Sequence, residues 1–135
     1  MIPIAKPLIG EEEKKNVLEV LDSGMLASGK WVEEFEKEFA NYLSVKHALA
    51  TTNGTQALIL ALEALGIKGK EVLVPSFTFI SSATSIIRAG GKPVFVDIDP
   101  KTFNIDVEDA RKKVTENTVA IMPVHLYGCL LYTSP

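Results

Sequence analysis

The feature that most constrains the fold of this 135-residue chain is a regular alternation of short apolar segments with helical patterns from residue 47 onward. The apolar segments cover residues 47–52, 71–75, 93–97 and 118–124, and the helical patterns cover residues 55–65, 80–89 and 107–114. Alternation of this kind is typical of βαβ units, in which consecutive strands run parallel and are joined by helices. We therefore predict an α/β fold with a mostly parallel sheet and helices on both faces.

The first 46 residues have a different sequence pattern. Residues 11–21 predict a helix with an acidic first turn, which suits the helix dipole. A second, amphipathic helix is predicted from aromatic and aliphatic side chains that recur every four residues, at Trp31, Phe35, Phe39 and Leu43. We therefore predict a helical segment over residues 1–46, followed by an α/β domain over residues 47–128.

The composition limits which partners and which cellular location are expected. The net charge is −3 and the basic residues are scattered, so no nucleic-acid partner is expected. The chain has one cysteine, Cys129, which with His47 and His125 makes no zinc-ligand spacing, so neither a disulfide nor a metal site is predicted. No apolar run is long enough to span a bilayer and no leader pattern is present, so we expect no membrane partner and a cytoplasmic location.

A small polar turn, Asn53-Gly54-Thr55-Gln56, lies between a predicted strand and the opening of a predicted helix. The first N–H groups of a helix lack intrahelical acceptors and carry a partial positive charge, so they suit an anionic phosphate. Gly54 lets a ligand approach the backbone, and Thr55 adds a hydroxyl. The alternative is that Asn53 or Thr55 only caps the helix.

A second loop follows the predicted strand at residues 71–75 and contains Phe77 and Phe79. An aromatic side chain beside a phosphate site can provide a stacking face for a flat heteroaromatic ring. The alternative is packing of the loop against the core, which we favour for Phe77, whereas both interpretations stay open for Phe79.

Two further polar groups follow predicted strands. Asp97 and Asp99 have the residue types of a metal or ribose site, but an Asp-x-Asp-Pro sequence is also typical of a turn, and we favour the turn. His125 and Tyr127 follow the last predicted strand, and a lone histidine is more often structural than catalytic.

In this order, these segments resemble the DegT-type nucleotide-sugar aminotransferases, which use pyridoxal 5′-phosphate (PLP). The resemblance runs from residue 2 to residue 128, and implies part of the large domain of the aspartate-aminotransferase fold. Besides the Ser-Gly loops at residues 23–24 and 28–29, it is carried by the segments at residues 52–58, 75–79, 90–97 and 124–128.

The resemblance also implies site residues and partners. Gly54, Thr55 and Gln56 would hold the PLP phosphate through backbone N–H groups and the Thr55 hydroxyl, and Phe79 would stack on the pyridine ring. The substrates would be an amino-acid donor, typically glutamate, and a nucleotide-linked keto sugar. The protein would be a homodimer, with the loop at residues 24–30 near the partner's site.

By the same resemblance, the aspartate that pairs with the pyridine nitrogen and the lysine that bonds to the cofactor belong beyond residue 135. We therefore predict no catalytic residue within these 135 residues, and expect the chain alone to be inactive. After Gly128 the pattern departs from the family, so residues 129–135 are expected to be a non-native tail.

Three alternatives differ in function. Relatives with a histidine in place of the cofactor-bearing lysine are sugar dehydratases. A self-contained phosphate-binding module without catalysis would use the same strand–turn–helix site, although neither G-x-G-x-x-G nor a P-loop pattern occurs. A regulatory protein on the same fold would lack the lysine altogether.

Overall fold

The computed structural model describes residues 5–131. The chain forms two compact units, of which the first ends at Ala50 and the second begins at Thr51. The boundaries at residues 46 and 128 that the sequence suggests stay predictions. Within residues 5–131, no helix combines the length and the apolar character needed to cross a bilayer.

The first unit contains two helices, α1 (Glu11–Ser23) and α2 (Lys30–Tyr42). Three glutamates in the first turn of α1 interact favourably with the positive end of the helix dipole. The helix ends at Gly24, which has a left-handed backbone conformation with a φ of 70°. In α2, the Phe35 and Phe39 rings lie 5.6 Å apart on one side of the helix. Both predicted helices are confirmed.

The predicted strand at residues 47–52 is wrong for this structure, in which those residues form no strand. The Ala50 N–H donates to the Glu36 carboxylate at 2.7 Å instead of to a neighbouring strand. Leu49 is 83% exposed. An apolar segment becomes a strand only when a second strand accepts its hydrogen bonds, and none among residues 5–131 does so here.

The second unit has the predicted alternation. After α3 (Gly54–Ala64), its elements in chain order are β1 (Glu71–Pro75), α4 (Ser81–Arg88), β2 (Lys92–Val96), α5 (Val107–Lys113), β3 (Thr118–Ile121) and a 3₁₀ turn at Leu126–Gly128. The three strands form one sheet in the order β2-β1-β3. Both pairings are parallel, which confirms the predicted parallel sheet.

Helices cover both faces of this sheet. Successive strand residues point to opposite faces, so Val72 and Val74 face one way and Leu73 the other. The first face packs against residues from the α3 and α4 side, namely Leu62, Ile67, Ile86 and Ala89. The second face packs against Ala110 of α5 and its neighbours Val96 and Ile105. The predicted α/β fold class is confirmed.

Candidate functional site

The first turn of α3 begins at Gly54, which confirms that Thr55 lies at a helix N-terminus. Asn53 is extended and caps the helix, because its side-chain oxygen accepts a hydrogen bond from the Gln56 N–H at 3.0 Å. The capping interpretation is therefore correct for Asn53. Gln56 remains a predicted ligand-binding residue, but its backbone N–H is already used by the cap.

The N–H groups of Gly54 and Thr55 are the free donors of this turn, since neither has an acceptor among residues 5–131. The first turn of α3 contains no acidic side chain. A Cβ built on Gly54 would meet no atom of residues 5–131 within 4 Å outside its own helix turn, so packing leaves this stretch of backbone accessible. Two free donors at the positive end of a helix form a suitable environment for an anion.

A hydrogen bond between side chains joins the starts of α3 and α4. The Thr55 and Ser81 hydroxyl oxygens lie 2.8 Å apart, and both residues are half-buried. The loop at residues 76–80 leaves the carboxyl end of β1, where Pro75 pairs with Val96, and leads directly into Ser81. The α3 N-terminus therefore lies at the carboxyl edge of the sheet, where parallel α/β folds bind ligands.

The two phenylalanines of this loop have different environments. Phe77 packs against Phe103 of the loop after β2, with ring centroids 5.6 Å apart, but both side chains are exposed, so packing of Phe77 against the core stays a prediction. Phe79 is 75% exposed and lies in the loop two residues before Ser81, as predicted. Its role in stacking on a ligand stays a prediction.

The turn interpretation of Asp99 is confirmed. The Asp99 carboxylate accepts the N–H groups of Thr102 at 2.9 Å and Lys101 at 2.7 Å. These backbone hydrogen bonds lower the pKa of Asp99 below its ordinary value. In the part of the chain from residue 5 to 131, no three side chains of His, Cys, Asp or Glu are grouped so as to hold a metal ion.

Asp109 of α5 also fixes the end of β2, which the sequence did not reveal. Its carboxylate accepts from the Lys113 ammonium at 2.7 Å and from the Asp97 N–H at 2.8 Å. The hydrogen bond from Lys113 is the main reason that the pKa of Asp109 is lowered, and the same bond raises the pKa of Lys113. Asp97 thus participates in a structural contact through its backbone.

His125 is also structural in its contacts. Its Nδ1 atom accepts the backbone N–H of Leu131 at 3.1 Å. Tyr127 is 85% exposed in the 3₁₀ turn. Near this segment, the buried Asn104 side chain donates to the Cys129 carbonyl at 3.1 Å. These contacts tie residues 125–131 to the loop after β2.

Ser81 is the site residue that the sequence analysis missed. Its partner Thr55 lies 26 residues away in the sequence, and a local sequence pattern cannot indicate a contact between residues so far apart. The sequence feature that could have indicated Ser81 was its position at the start of a helix, beside the loop that contains Phe77 and Phe79.

Comparison with known proteins shows which family this chain belongs to. The sequence profile of the DegT/DnrJ/EryC1/StrS aminotransferase family matches residues 7–131. GDP-perosamine synthase of Caulobacter vibrioides is 49% identical over an alignment that covers 99% of this chain and 37% of that protein. The chain spans about a third of the length of the curated relatives it matches.

Solved structures are similar to this chain in both sequence and fold. The crystal structure of 3-amino-5-hydroxybenzoic acid synthase matches with a TM-score of 0.84 and 43% identity, over 94% of this chain and 34% of that one. Escherichia coli GDP-4-keto-6-deoxy-D-mannose-3-dehydratase with bound hydrated PLP matches with a TM-score of 0.84 and 34% identity, over 93% and 34% of the two chains. This chain therefore belongs to the DegT/DnrJ/EryC1/StrS aminotransferase family.

Proposed function

We propose that the start of α3 is the phosphate-binding part of a PLP site in an enzyme that transfers an amino group to a nucleotide-linked keto sugar. The observation that carries this proposal is the pair of free backbone N–H groups at Gly54 and Thr55, next to the Thr55 hydroxyl. A solved family neighbour with bound PLP supports the identity of the ligand.

The residues present fit the phosphate group of PLP. A phosphate dianion accepts hydrogen bonds and is favoured by positive potential. The first turn of α3 offers two N–H donors, a hydroxyl and the positive end of an eleven-residue helix without an acidic side chain in its first turn. The accessible backbone at Gly54 lets phosphate oxygens come within hydrogen-bond distance.

When bound, PLP supplies an electron sink for making and breaking carbon–nitrogen bonds. The residues of this chain bind and orient it. Gly54 and Thr55 would hold the phosphate, with Gln56 beside them, and Phe79 would provide a stacking face for the pyridine ring. Because phosphate and ring are held at separate points, the ring is fixed in orientation as well as position.

The substrates follow from the relatives. The Caulobacter relative is named as a GDP-perosamine synthase, and two further relatives have the same name. A sugar linked to a nucleotide is therefore the acceptor that we propose. Glutamate is the proposed amino-acid donor, which the name of a Bacillus subtilis relative, 3-oxo-glucose-6-phosphate:glutamate aminotransferase, supports. We also propose a homodimer, which light scattering on the purified protein tests directly.

We propose that Lys70, Lys92 and Lys113 of the second unit do not bear the cofactor. Lys70 precedes β1 and Lys92 begins β2, so both lie at the amino edge of the sheet, opposite the start of α3. Lys113 is paired with Asp109, and its pKa is raised, whereas attack on an aldehyde needs a neutral amine. Since the family resemblance places the cofactor-bearing lysine beyond residue 135, we also propose that the 135-residue chain alone is inactive.

The experiment supplies the full-length gene product with PLP, isotopically labelled glutamate and a nucleotide-linked 4-keto-6-deoxy sugar. Mass spectrometry then measures whether the label enters an amino sugar. Label in the sugar supports aminotransfer. A product that has lost a hydroxyl without gaining nitrogen identifies the dehydratase alternative, and no PLP binding at all contradicts the proposed function.

A matched experiment tests the 135-residue chain alone. It is mixed with PLP and treated with borohydride, and labelled peptides are mapped. Scattered weak labelling or none is expected. Stoichiometric labelling of one lysine together with aminotransfer would show that these 135 residues contain the catalytic group.

A further inference from the structure

We propose that Ser81 is a positioning residue that aims the hydroxyl proton of Thr55 at the phosphate of PLP. The inference rests on the proposed function and adds a residue from a second helix to the site. In this arrangement Ser81 donates to Thr55, and Thr55 donates to a phosphate oxygen.

The direction of the hydrogen bonds follows from what each group can do. The two hydroxyl oxygens lie 2.8 Å apart, and either one can be the donor. A hydroxyl has one proton and two acceptor lone pairs. Because a phosphate dianion only accepts, Thr55 must give its own proton to the anion. The proton between the two oxygens then comes from Ser81.

Ser81 has no competing structural role as a cap. Helix α4 is preceded by Ile80, and its N-terminus has no hydrogen bond from a capping side chain. Among the described residues, the only hydrogen-bond partner of the Ser81 hydroxyl is Thr55. The contact therefore acts across two helices, from the start of α4 to the start of α3.

The adjacent serine has the structural role that Ser81 lacks. The Ser82 hydroxyl lies 2.9 Å from the Thr78 hydroxyl, within its own loop and helix, and Ser82 is 7% exposed. No hydrogen bond joins Ser82 to Thr55 in the structure between residues 5 and 131. Ser82 is therefore a matched control, since it loses an equivalent hydroxyl pair on the same helix.

The expected effect is a loss of phosphate recognition. A hydroxyl that accepts one hydrogen bond becomes a stronger donor in the next, and a fixed rotamer removes the entropic cost of ordering Thr55. Replacement of Ser81 by alanine leaves Thr55 free to rotate. We expect the affinity for PLP to fall about three- to tenfold.

The test compares PLP with pyridoxal, which has the same ring without the phosphate. Affinities are measured by titration of the full-length gene product, followed by the change in cofactor absorbance. In Ser81→Ala, PLP affinity is expected to fall while pyridoxal affinity stays unchanged, so the preference for PLP shrinks. Ser81→Thr keeps the hydroxyl and restores the preference, and Ser82→Ala leaves it at the wild-type value.

A double-mutant cycle, with a stability measurement on each variant, distinguishes a relay from a general loss of stability. Ser81→Ala, Thr55→Val and the double variant are compared in PLP affinity, with a melting temperature for each. If the two residues act as a relay, Ser81→Ala has little further effect once the Thr55 hydroxyl is absent. Independent, additive losses overturn the inference.

The results separate the two proposals. A wild-type protein that binds PLP no better than pyridoxal contradicts the phosphate site itself, and with it the proposed function. A wild-type preference for PLP that survives unchanged in Ser81→Ala leaves the proposed function intact and overturns the role of Ser81.

Discussion

The side-chain oxygen of Asn53 lies 3.0 Å from the backbone nitrogen of Gln56, so the cap of α3 and the proposed phosphate site share one helical turn. The cap satisfies the third N–H of the helix, and the first two are left for a ligand. The cap also fixes the direction in which those two groups point. Stability and ligand binding can therefore be changed separately at this turn.

Substitutions of Asn53 test this separation. Asn53→Ala removes the cap and is expected to lower the free energy of unfolding by about 1 kcal/mol. Asn53→Asp keeps an acceptor for Gln56, so the stability should be near that of the wild type. Its negative charge, however, repels the phosphate, so PLP affinity should fall. Urea unfolding and PLP titration measure the two effects, and a stable Asp variant with unchanged PLP affinity would place the phosphate elsewhere.

The two aromatic residues of the β1–α4 loop should respond in opposite ways. Phe79 is 75% exposed, so Phe79→Leu should change stability by less than about 0.5 kcal/mol. The same change should lower PLP affinity about two- to tenfold, because a stacked aromatic ring is lost.

Phe77→Leu is the control for that prediction. It breaks the ring pair with Phe103 and should cost about 1 kcal/mol of stability, with PLP affinity unchanged. Thermal unfolding and cofactor titration of both variants measure the contrast. Equal PLP affinities in the two variants would remove Phe79 from the site.

Two glycines also form a matched pair. A Cβ on Gly91 would lie 2.6 Å from Ile67 Cδ1 and 3.2 Å from Ile86 Cγ2, within the core. Gly91→Ala should therefore lower stability by about 1–3 kcal/mol. In Gly54→Ala, the new methyl group would meet no described residue within 4 Å outside its own helix turn, so the variant should be stable. It should bind PLP more weakly, because the methyl group stands at the proposed phosphate site. A Gly54→Ala variant with wild-type PLP affinity would contradict close approach of the phosphate to this backbone.

The ion pair between Asp109 and Lys113 predicts a dependence of stability on pH. The pKa of Asp109 is lowered in the folded protein, so its contribution is present above the ordinary aspartate pKa of 3.8 and is lost as pH falls through the folded value. The pKa of Lys113 is raised above 10.5, so its contribution is lost as pH rises through its folded value.

Asp109→Asn should consequently have a lower urea midpoint than the wild type at pH 7, and the difference should shrink as pH falls below 3.8. Glu108→Gln on the same helix is the control, since the Glu108 side chain has one ion pair among residues 5–131, a long, exposed contact with Arg111 at 3.7 Å. A constant difference between wild type and Asp109→Asn across this pH range would mean that the carboxylate charge is not what stabilises the fold.

Much of the second unit can be predicted from the sequence because its signals are local. The strand at Glu71–Pro75 has its predicted bounds, and α3 begins within one residue of its predicted start. Asn53, Gly54 and Thr55 could be assigned to a helix N-terminus because capping depends on neighbouring residues. The segment at residues 47–52 could not be assigned correctly, because a strand forms only beside a partner strand, and the local sequence does not show whether one is present.

The sequence by itself therefore determined the α/β alternation, the start of α3 and, through the order of its segments, the family. Only the tertiary structure decided that Ser81 meets Thr55, that Phe77 packs on Phe103 while Phe79 stays exposed, and that Asp109 binds the end of β2. The physical reason is the distance along the sequence over which each interaction acts. Periodicity and capping act over a few residues, whereas each of these contacts joins residues 12 or more positions apart, which only the packing of helices on a sheet brings together.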